Sequence, residues 1–220
     1  MRVFVAGATG AIGRPLIPKL LAAGRQVTAL ARTPERPRAL EAQGVEVALA
    51  DALDEAGVRE AVVTARPEVL IHQLTALPHR LNPRKYAEAV EPTSRLREQT
   101  APYFLAAARE AGVRRVIFQS ISFMVAPQGP PVVDETAPLS DDPITKATAT
   151  MERYVTSAEA LEGVVLRYGF YYGPGTWYAP DGAIGTMIRK RRYPLIGSAQ
   201  GRSSFVHVDD AVEATVRALD

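Results

Sequence analysis

Cysteine is absent from this chain of 220 residues, which excludes disulfide bonds, thiolate metal sites and catalysis by a thiol. Lysine is scarce, with four residues among the 26 basic ones, and the formal net charge is only +2. The basic residues are scattered apart from one run at 189–192, which argues against a nucleic-acid partner. With three scattered histidines and no cysteine, the sequence also predicts no metal site.

Long apolar segments are missing as well. No run reaches the roughly 18 residues that a membrane span requires, and the first predicted strand begins at residue 2, which leaves no room for a signal peptide. The composition is that of an ordinary globular protein, with 47% hydrophobic and 23% charged residues. We therefore expect a cytoplasmic protein without a membrane partner, folded as a single domain over residues 1–220.

What the chain does contain is a glycine-rich turn close to its start. Val3 and Val5 belong to a short apolar run of β type, glycines follow at 7, 10 and 13, and apolar residues then recur at helical spacing. A buried strand, a glycine turn and the start of a helix form a phosphate site, because the helix N-terminus offers unpaired N–H groups and about half a positive charge. This context indicates a dinucleotide cradle.

Strand and helix patterns alternate along the rest of the chain. We expect strands over 26–30, 45–49, 69–72, 115–119 and 164–168, a short extended segment over 203–208, and helices over 33–43, 54–65, 84–111, 144–161, 183–191 and from 209 onward. The segment 84–111 is predicted to be interrupted near Pro92 and Pro102. Repeated β-α-β units predict an α/β fold, a doubly wound parallel sheet (Rossmann fold) with a ligand crevice at the carboxyl ends of its strands. Residues 120–142 and 169–182 are predicted to be irregular.

Five sequence blocks occur in an order that points to one family. They cover the glycine turn and four later segments: 7–13, 51–54, 71–76, 166–175 and 205–211. Together they resemble the extended short-chain dehydrogenases/reductases, specifically the NAD-dependent epimerase/dehydratase group. The resemblance implies an NAD(P)-dependent oxidoreductase that transfers hydride at a nicotinamide and acts on a small molecule such as a nucleotide sugar. It also suggests a homodimer formed by the helices around 86–111 and 144–161, and a small C-terminal appendage at roughly 169–205 as a reduced substrate lobe.

The same resemblance assigns residues to the cofactor. The glycine turn would hold the pyrophosphate, Asp51 and Ala52 would meet the adenine, and Tyr168 and Phe170 would pass beside the nicotinamide. The expected cofactor-binding residues are Gly7, Thr9, Gly10, Ala11, Ile12, Gly13, Arg32, Asp51, Ala52, Leu74, Thr75, Ala76, Lys146, Tyr168 and Phe170.

The end of the second predicted strand bears on the choice between NAD and NADP. NAD-preferring members usually carry an acidic residue there for the ribose hydroxyl, but residues 29–33 contain no carboxylate. The guanidinium of Arg32 can fork onto a 2′-phosphate, which favours NADP slightly. Stacking of Arg32 on the adenine is the alternative.

The acid/base chemistry of the family is where this chain departs from the pattern. That chemistry needs a tyrosine whose pKa is lowered by a lysine four residues on. Lys146 occupies the region of that lysine, but Asp142 stands four residues before it, and none of the eight tyrosines has a lysine at that spacing. Lys146 is therefore expected to bind ribose hydroxyls. Asp142 is either a substitute base or the N-cap of the helix that follows Pro143, and capping is the commoner use of such an Asp-Pro pair.

Two serines after the fifth predicted strand complete the candidate catalytic set. The family keeps a serine or threonine here to bind the substrate oxygen, and Ser120 and Ser122 are the candidates. The register leaves Ile121 as another occupant of that position. Both hydroxyls have a structural alternative, which is to bond loop backbone groups.

Two functions are consistent with this sequence. The first is an NAD(P)-dependent oxidoreductase with an atypical acid/base group, resembling nucleotide-sugar epimerases and dehydratases. The second is a non-catalytic protein that binds NAD(P) and reports the cofactor state to a partner, which the missing tyrosine favours.

Titration of NADPH and NADH against the purified protein tests the role of Arg32. If Arg32 binds the 2′-phosphate, Arg32→Ala lowers the affinity for NADPH by about tenfold and leaves that for NADH unchanged, since a hydrogen bond to a charged group contributes about 1.5–3 kcal/mol. Equal affinities for the two cofactors in the wild type would remove the basis for expecting NADP.

Overall fold

Six parallel strands form the central sheet of the chain, whose computed structural model describes residues 1–33, 38–78, 85–125, 132–194 and 203–220. The strands are β1 (Arg2–Ala6), β2 (Gln26–Ala31), β3 (Glu46–Leu49), β4 (Val69–His72), β5 (Arg115–Ile121) and β6 (Glu162–Tyr168). Their order across the sheet is β3-β2-β1-β4-β5-β6, with every neighbouring pair parallel. This topology confirms the doubly wound α/β fold predicted from the sequence.

Helices connect these strands and follow the last of them. They are α1 (Gly13–Ala22), α2 (Arg38–Glu41), α3 (Glu55–Ala65), α4 (Tyr86–Glu110), α5 (Pro143–Thr156), α6 (Ala183–Arg189) and α7 (Val208–Arg217). Residues 34–37 of the helix predicted over 33–43 lie outside the described residues. Among the helices that the structure describes, none has the length and apolar character needed to cross a lipid bilayer.

The sheet buries apolar side chains on both of its faces. On one face, Leu16 of α1 and Val212 of α7 belong to the same buried cluster. On the other face, a second cluster contains Val62 of α3, Phe104 of α4 and Met151 of α5. Burial on both faces explains why the central strands read as nearly continuous apolar runs.

Helix α4 corrects one expectation from the sequence. The predicted interruptions near Pro92 and Pro102 are wrong, because a single helix continues through both prolines. Each proline removes one backbone N–H from the helical ladder. One side of α4 is nevertheless buried, with Ala101 and Phe104 in the second apolar cluster, and the helix packs against α3 and α5. Tertiary packing therefore outweighs the local preference of proline.

A second, two-stranded sheet lies beyond β6. It pairs β7 (Phe170–Tyr172) with β8 (Phe205–His207) in parallel. The extended segment expected over 203–208 contains β8, whereas β7 falls in the stretch predicted to be irregular and was missed. Three residues are too few for a period of two to be recognised.

Shortening Phe104 tests how strongly α4 depends on the sheet. The side chain is fully buried and meets the ring of His72 edge-on, with 4.9 Å between ring centroids. We expect Phe104→Ala to lower the free energy of unfolding by about 3–5 kcal/mol, measured by denaturant titration. Tyr154→Ala on α5 is the control, because that side chain is 44% exposed. Equal losses in the two variants would contradict the packing described here.

Candidate active site

A cleft of about 1710 Å³ opens at the carboxyl ends of the sheet strands. Residues that follow β1, β2 and β4 line one part of it, and the ends of β5 and β6 line another. The loop after β7 and the start of α6 border it as well. In a doubly wound sheet this is the position where a ligand binds.

The glycine turn packs against the backbone at the end of β4. Gly7 has a φ of +97°, and a Cβ on it would lie 2.7 Å from the carbonyl oxygen of Gln73. A Cβ on Gly13, the first residue of α1, would lie 2.2 Å from the carbonyl oxygen of Gly7. The amide of Gly10 donates to that same oxygen at 3.0 Å. The turn thus leaves no room for a side chain at Gly7 or Gly13 and brings the N-terminus of α1 to the cleft, which fits a pyrophosphate.

Most of the expected cofactor-binding residues line this cleft. Those that do are Gly7, Thr9, Gly10, Ala11, Arg32, Asp51, Ala52, Leu74, Thr75, Ala76, Tyr168 and Phe170. Three do not. Ile12 is part of the apolar core, Gly13 packs on the glycine turn, and Lys146 lies elsewhere.

Lys146 is at the surface of α5. Its Nζ lies 2.8 Å from Oδ1 of Asp141, and its side chain is 64% exposed. The residue of α5 that lines the cleft is Ile144, and Thr148, four positions later, is buried. Ile144 and Thr148 are four positions apart, like the tyrosine and lysine of the family, and neither side chain is ionisable.

Asp142 caps α5, which is the structural alternative that the sequence left open. Its Oδ1 accepts hydrogen bonds from the amides of Ile144 and Thr145, both at 3.0 Å. Burial opposes ionisation, but hydrogen bonds from Ser140, Thr145 and these amides outweigh it and lower the pKa of Asp142 to about 2. A carboxylate with this pKa is a weak base near neutrality. Asp142 is also not among the residues that line the cleft.

The two candidate serines have different environments. Ser120 lines the cleft, but it is fully buried and its hydroxyl donates to the carboxylate of Glu152. Arg167 also binds that carboxylate, with Nη2 at 2.6 Å from Oε2. The hydroxyl of Ser122 is buried without a hydrogen-bond partner among the described residues, and Ser122 is not part of the cleft wall. Ile121 lines the cleft between them.

Three tyrosines line the described part of the cleft: Tyr168, Tyr171 and Tyr178. Burial raises the pKa of Tyr168 to about 12, although its hydroxyl bonds Thr215. Burial and the neighbouring Tyr168 raise the pKa of Tyr171 well above its ordinary value. The acid/base chemistry of the family requires a tyrosinate. Neither of these two phenols is therefore ionised near neutral pH, so neither can take that role.

The sequence analysis missed Arg97, a buried cation on α4 that lines the cleft. Its Nη1 lies 3.2 Å from the hydroxyl oxygen of Thr148. Burial, together with the charge of Arg97, lowers the pKa of His72 to about 3, so this histidine is neutral. Thr93, Arg97 and Thr100 follow one another at spacings of four and three, so a helical-face pattern would have placed Arg97 on the buried side of α4.

Two more polar residues at the cleft are Gln73 and Tyr171. Both line it, and neither the Gln73 amide nor the Tyr171 hydroxyl has a hydrogen-bond partner among the described residues. In the ranges that the structure describes, no group of three or more histidine, aspartate or glutamate side chains is placed to hold a metal ion.

Aromatic rings form one side of the cleft. The rings of Phe123 and Phe170 stack in parallel with 4.3 Å between centroids, and Tyr178 tilts against Phe170 at 5.9 Å. All three residues line the cleft, as does Trp177, whose indole N–H donates to the carbonyl oxygen of Pro78 at 3.1 Å.

The glycine turn, the helix N-terminus and the crevice at the strand ends define a dinucleotide-binding domain of the Rossmann type. Residues 3–220 match the model of the NAD dependent epimerase/dehydratase family, and the chain belongs to this family. The assignment confirms the family that the five sequence blocks indicated.

Several characterised proteins are similar to the chain. A 3-diazoavenalumate denitrifying reductase from a Streptomyces species is 50% identical over the whole chain, which spans 72% of that relative. A 4-hydroxy-2-methyl-3-oxo-4-farnesyl-3,4-dihydroquinoline-1-oxide ketoreductase from Stigmatella aurantiaca is 28% identical, and the chain spans 65% of it. The crystal structure of Thermus thermophilus UDP-glucose 4-epimerase, in complex with NAD, superposes with a TM-score of 0.79 at 26% identity, covering all of this chain and 74% of that one. These similarities support an enzyme of the oxidoreductase type.

Substitution of Gly13 tests whether the glycine turn holds a cofactor. A methyl group there meets the Gly7 carbonyl, so Gly13→Ala must shift the turn, and we expect NADH and NADPH affinities to fall by more than about tenfold in calorimetric titrations. Gly24→Ala is the control: it has a φ of +69° and no atom within 4 Å of its Cβ position. The control should cost about 1 kcal/mol of stability and leave cofactor affinity unchanged. Unchanged affinity in Gly13→Ala would argue against the cradle.

Proposed function

We propose that this chain is a nicotinamide-dependent reductase that delivers hydride to an aryl diazo compound and releases N₂. One observation carries the proposal: in the segments where the family's acid/base groups are expected, the end of β5 and the start of α5, the cleft wall includes Ile121 and Ile144, and Thr148, one turn further along α5, is buried. No ionisable side chain stands at these three positions. Such a site suits a reaction in which the protein neither donates nor accepts a proton when the hydride is transferred.

Reduction of an aryl diazonium group balances without a proton. The ring carbon that bears nitrogen accepts the hydride and a C–H bond forms. The C–N bond breaks and its electron pair leaves with N₂, so the hydride cancels the positive charge of the diazonium. Reduction of a ketone differs, because the alkoxide product must take up a proton from an acid such as tyrosine.

The residues at the crevice fit a nicotinamide dinucleotide. The glycine turn and the N-terminus of α1 would hold its pyrophosphate, and Asp51 and Ala52 would meet the adenine. Arg32, which is exposed at the end of β2, would bind the 2′-phosphate of NADP. When bound, the reduced nicotinamide supplies the hydride. Ile121 and Ile144 would exclude water from the place where the hydride is delivered.

The aromatic side of the cleft supports an aryl substrate. Phe123, Phe170 and Tyr178 offer flat, apolar surfaces on which a ring stacks favourably. Sugar hydroxyls need hydrogen-bonding groups instead. Phe170, Trp177 and Tyr178 also fall within the segment 169–205, which we propose as the substrate-side lobe. Residues 195–202 of that segment lie outside the described residues.

The relative from Streptomyces supports the diazo class in particular. Its name describes the reductive removal of nitrogen from a diazo acid, and half of the residues aligned along this chain are identical. Conversion of a nucleotide sugar is the second candidate, favoured by the superposition on an epimerase over the whole chain. A non-catalytic cofactor sensor is the third.

A labelled hydride distinguishes these candidates. The protein is incubated with an aryl diazonium carboxylate and NADPH or NADH deuterated at the transferable position, and the product is analysed by mass spectrometry and NMR. We expect deuterium on the ring carbon that carried nitrogen, together with N₂ release above the rate without protein. Because Lys146 and Asp142 lie outside the cleft, Lys146→Ala and Asp142→Asn should retain this activity, and asparagine also preserves the helix cap.

Other results of these assays would favour a different function or a catalytic role for Lys146. Epimerisation of UDP-glucose without reaction of the diazonium would favour the sugar candidate. Cofactor binding without turnover of either substrate would favour the sensor. Loss of activity in Lys146→Ala, in a variant that still binds cofactor, would restore Lys146 to the catalytic set.

A further inference from the structure

We propose that the floor of the cleft contains an oxyanion-binding subsite in which Arg97, Tyr171 and Gln73 hold a carboxylate or phenolate of the substrate. The inference deepens the proposed function, on which it rests for the identity of the site as a substrate pocket. It adds a class of functional group that the substrate must carry. We name the three residues the oxyanion subsite.

Arg97 supplies the positive charge of the oxyanion subsite. Its side chain is only 4% exposed, yet the residue lines the cleft. One guanidinium nitrogen donates to Thr148, which fixes the group against α5. A guanidinium has five N–H donors in a planar fork, a geometry that matches a carboxylate. In a low-dielectric cleft its charge attracts an anion more strongly than it would in water.

Tyr171 and Gln73 contribute neutral donors. The Tyr171 hydroxyl and both polar atoms of the Gln73 amide are buried and have no hydrogen-bond partner among the described residues. Such groups are rare in folded proteins, because each costs free energy unless something binds it. The raised pKa of Tyr171 keeps its proton available for donation, and the charge of Arg97 acts on this same hydroxyl. A ligand oxygen at the floor would receive these hydrogen bonds.

The distribution of charge in the cleft favours an anion over a cation. The carboxylates that line its described part are Asp51, Glu91 and Asp181, and all three are exposed. His72, behind the floor, is neutral because burial and Arg97 lower its pKa to about 3. Among the described residues that line the cleft, Arg97 is the buried one that carries a charge.

Calorimetric titration with matched pairs of dead-end ligands tests the oxyanion subsite without turnover. Cinnamate is compared with cinnamamide for the carboxylate, and 4-nitrophenolate with 4-nitroanisole for the phenolate. We expect the wild type to bind at least one anion about tenfold more tightly than its neutral partner. Arg97→Met should abolish this preference, whereas Arg97→Lys should keep part of it. Whichever pair shows the preference identifies the oxyanion.

Two further variants separate binding from a purely structural role. Tyr171→Phe deletes only a hydroxyl that has no hydrogen-bond partner among the described residues, so the melting temperature should not fall, while anion affinity drops by about threefold to tenfold. Arg109→Met removes a positive charge from the same helix outside the cleft and should bind both anions as the wild type does. Equal binding of anions and neutral ligands by the wild type, or an equal loss in Arg109→Met, would overturn the oxyanion subsite. Because no reduction is measured, that result would leave the reductase proposal to its own test.

Discussion

The contact between the glycine turn and the end of β4 is the constraint on which the cleft depends. Gly7 lies so close to the Gln73 carbonyl, and Gly13 so close to Gly7, that neither position has room for a side chain. This contact lets β1 and β4 stay adjacent while α1 begins directly at the sheet edge. The same backbone contact places Gln73 at the cleft. The glycine turn and the cleft wall at Gln73 are therefore parts of one arrangement.

The buried polar residues Gln73 and Arg97 line this cleft, whereas the residue of α5 that lines it is the apolar Ile144. Thr148, one turn further along α5, is buried and accepts a hydrogen bond from Arg97. The hydroxyl of Ser120 donates to Glu152, which is also paired with Arg167. The side chains that line the cleft are therefore better suited to orienting a ligand and excluding water than to transferring protons.

Much of the fold, including the glycine turn between β1 and α1, followed from local sequence patterns. The glycine turn, β4 and the cap at Asp142 were predictable because each depends on neighbouring residues. Lys146 was expected at the cleft because a motif gives the spacing of residues but not the side of the helix on which they lie. Successive residues of a helix are rotated by about 100°, so Lys146 and Ile144 face different sides of α5. The continuity of α4 and the burial of Arg97 depend on packing between distant segments, which no local pattern contains.

The hydrogen bond from Trp177 to the carbonyl of Pro78 joins two segments that are 99 positions apart in the chain. One follows β7 and the other follows β4, and both border the cleft. The bond therefore ties the segment after β7 to the segment after β4 beside the cleft. Since Trp177 is the chain's single tryptophan, its fluorescence reports on the surroundings of this bond without any attached dye.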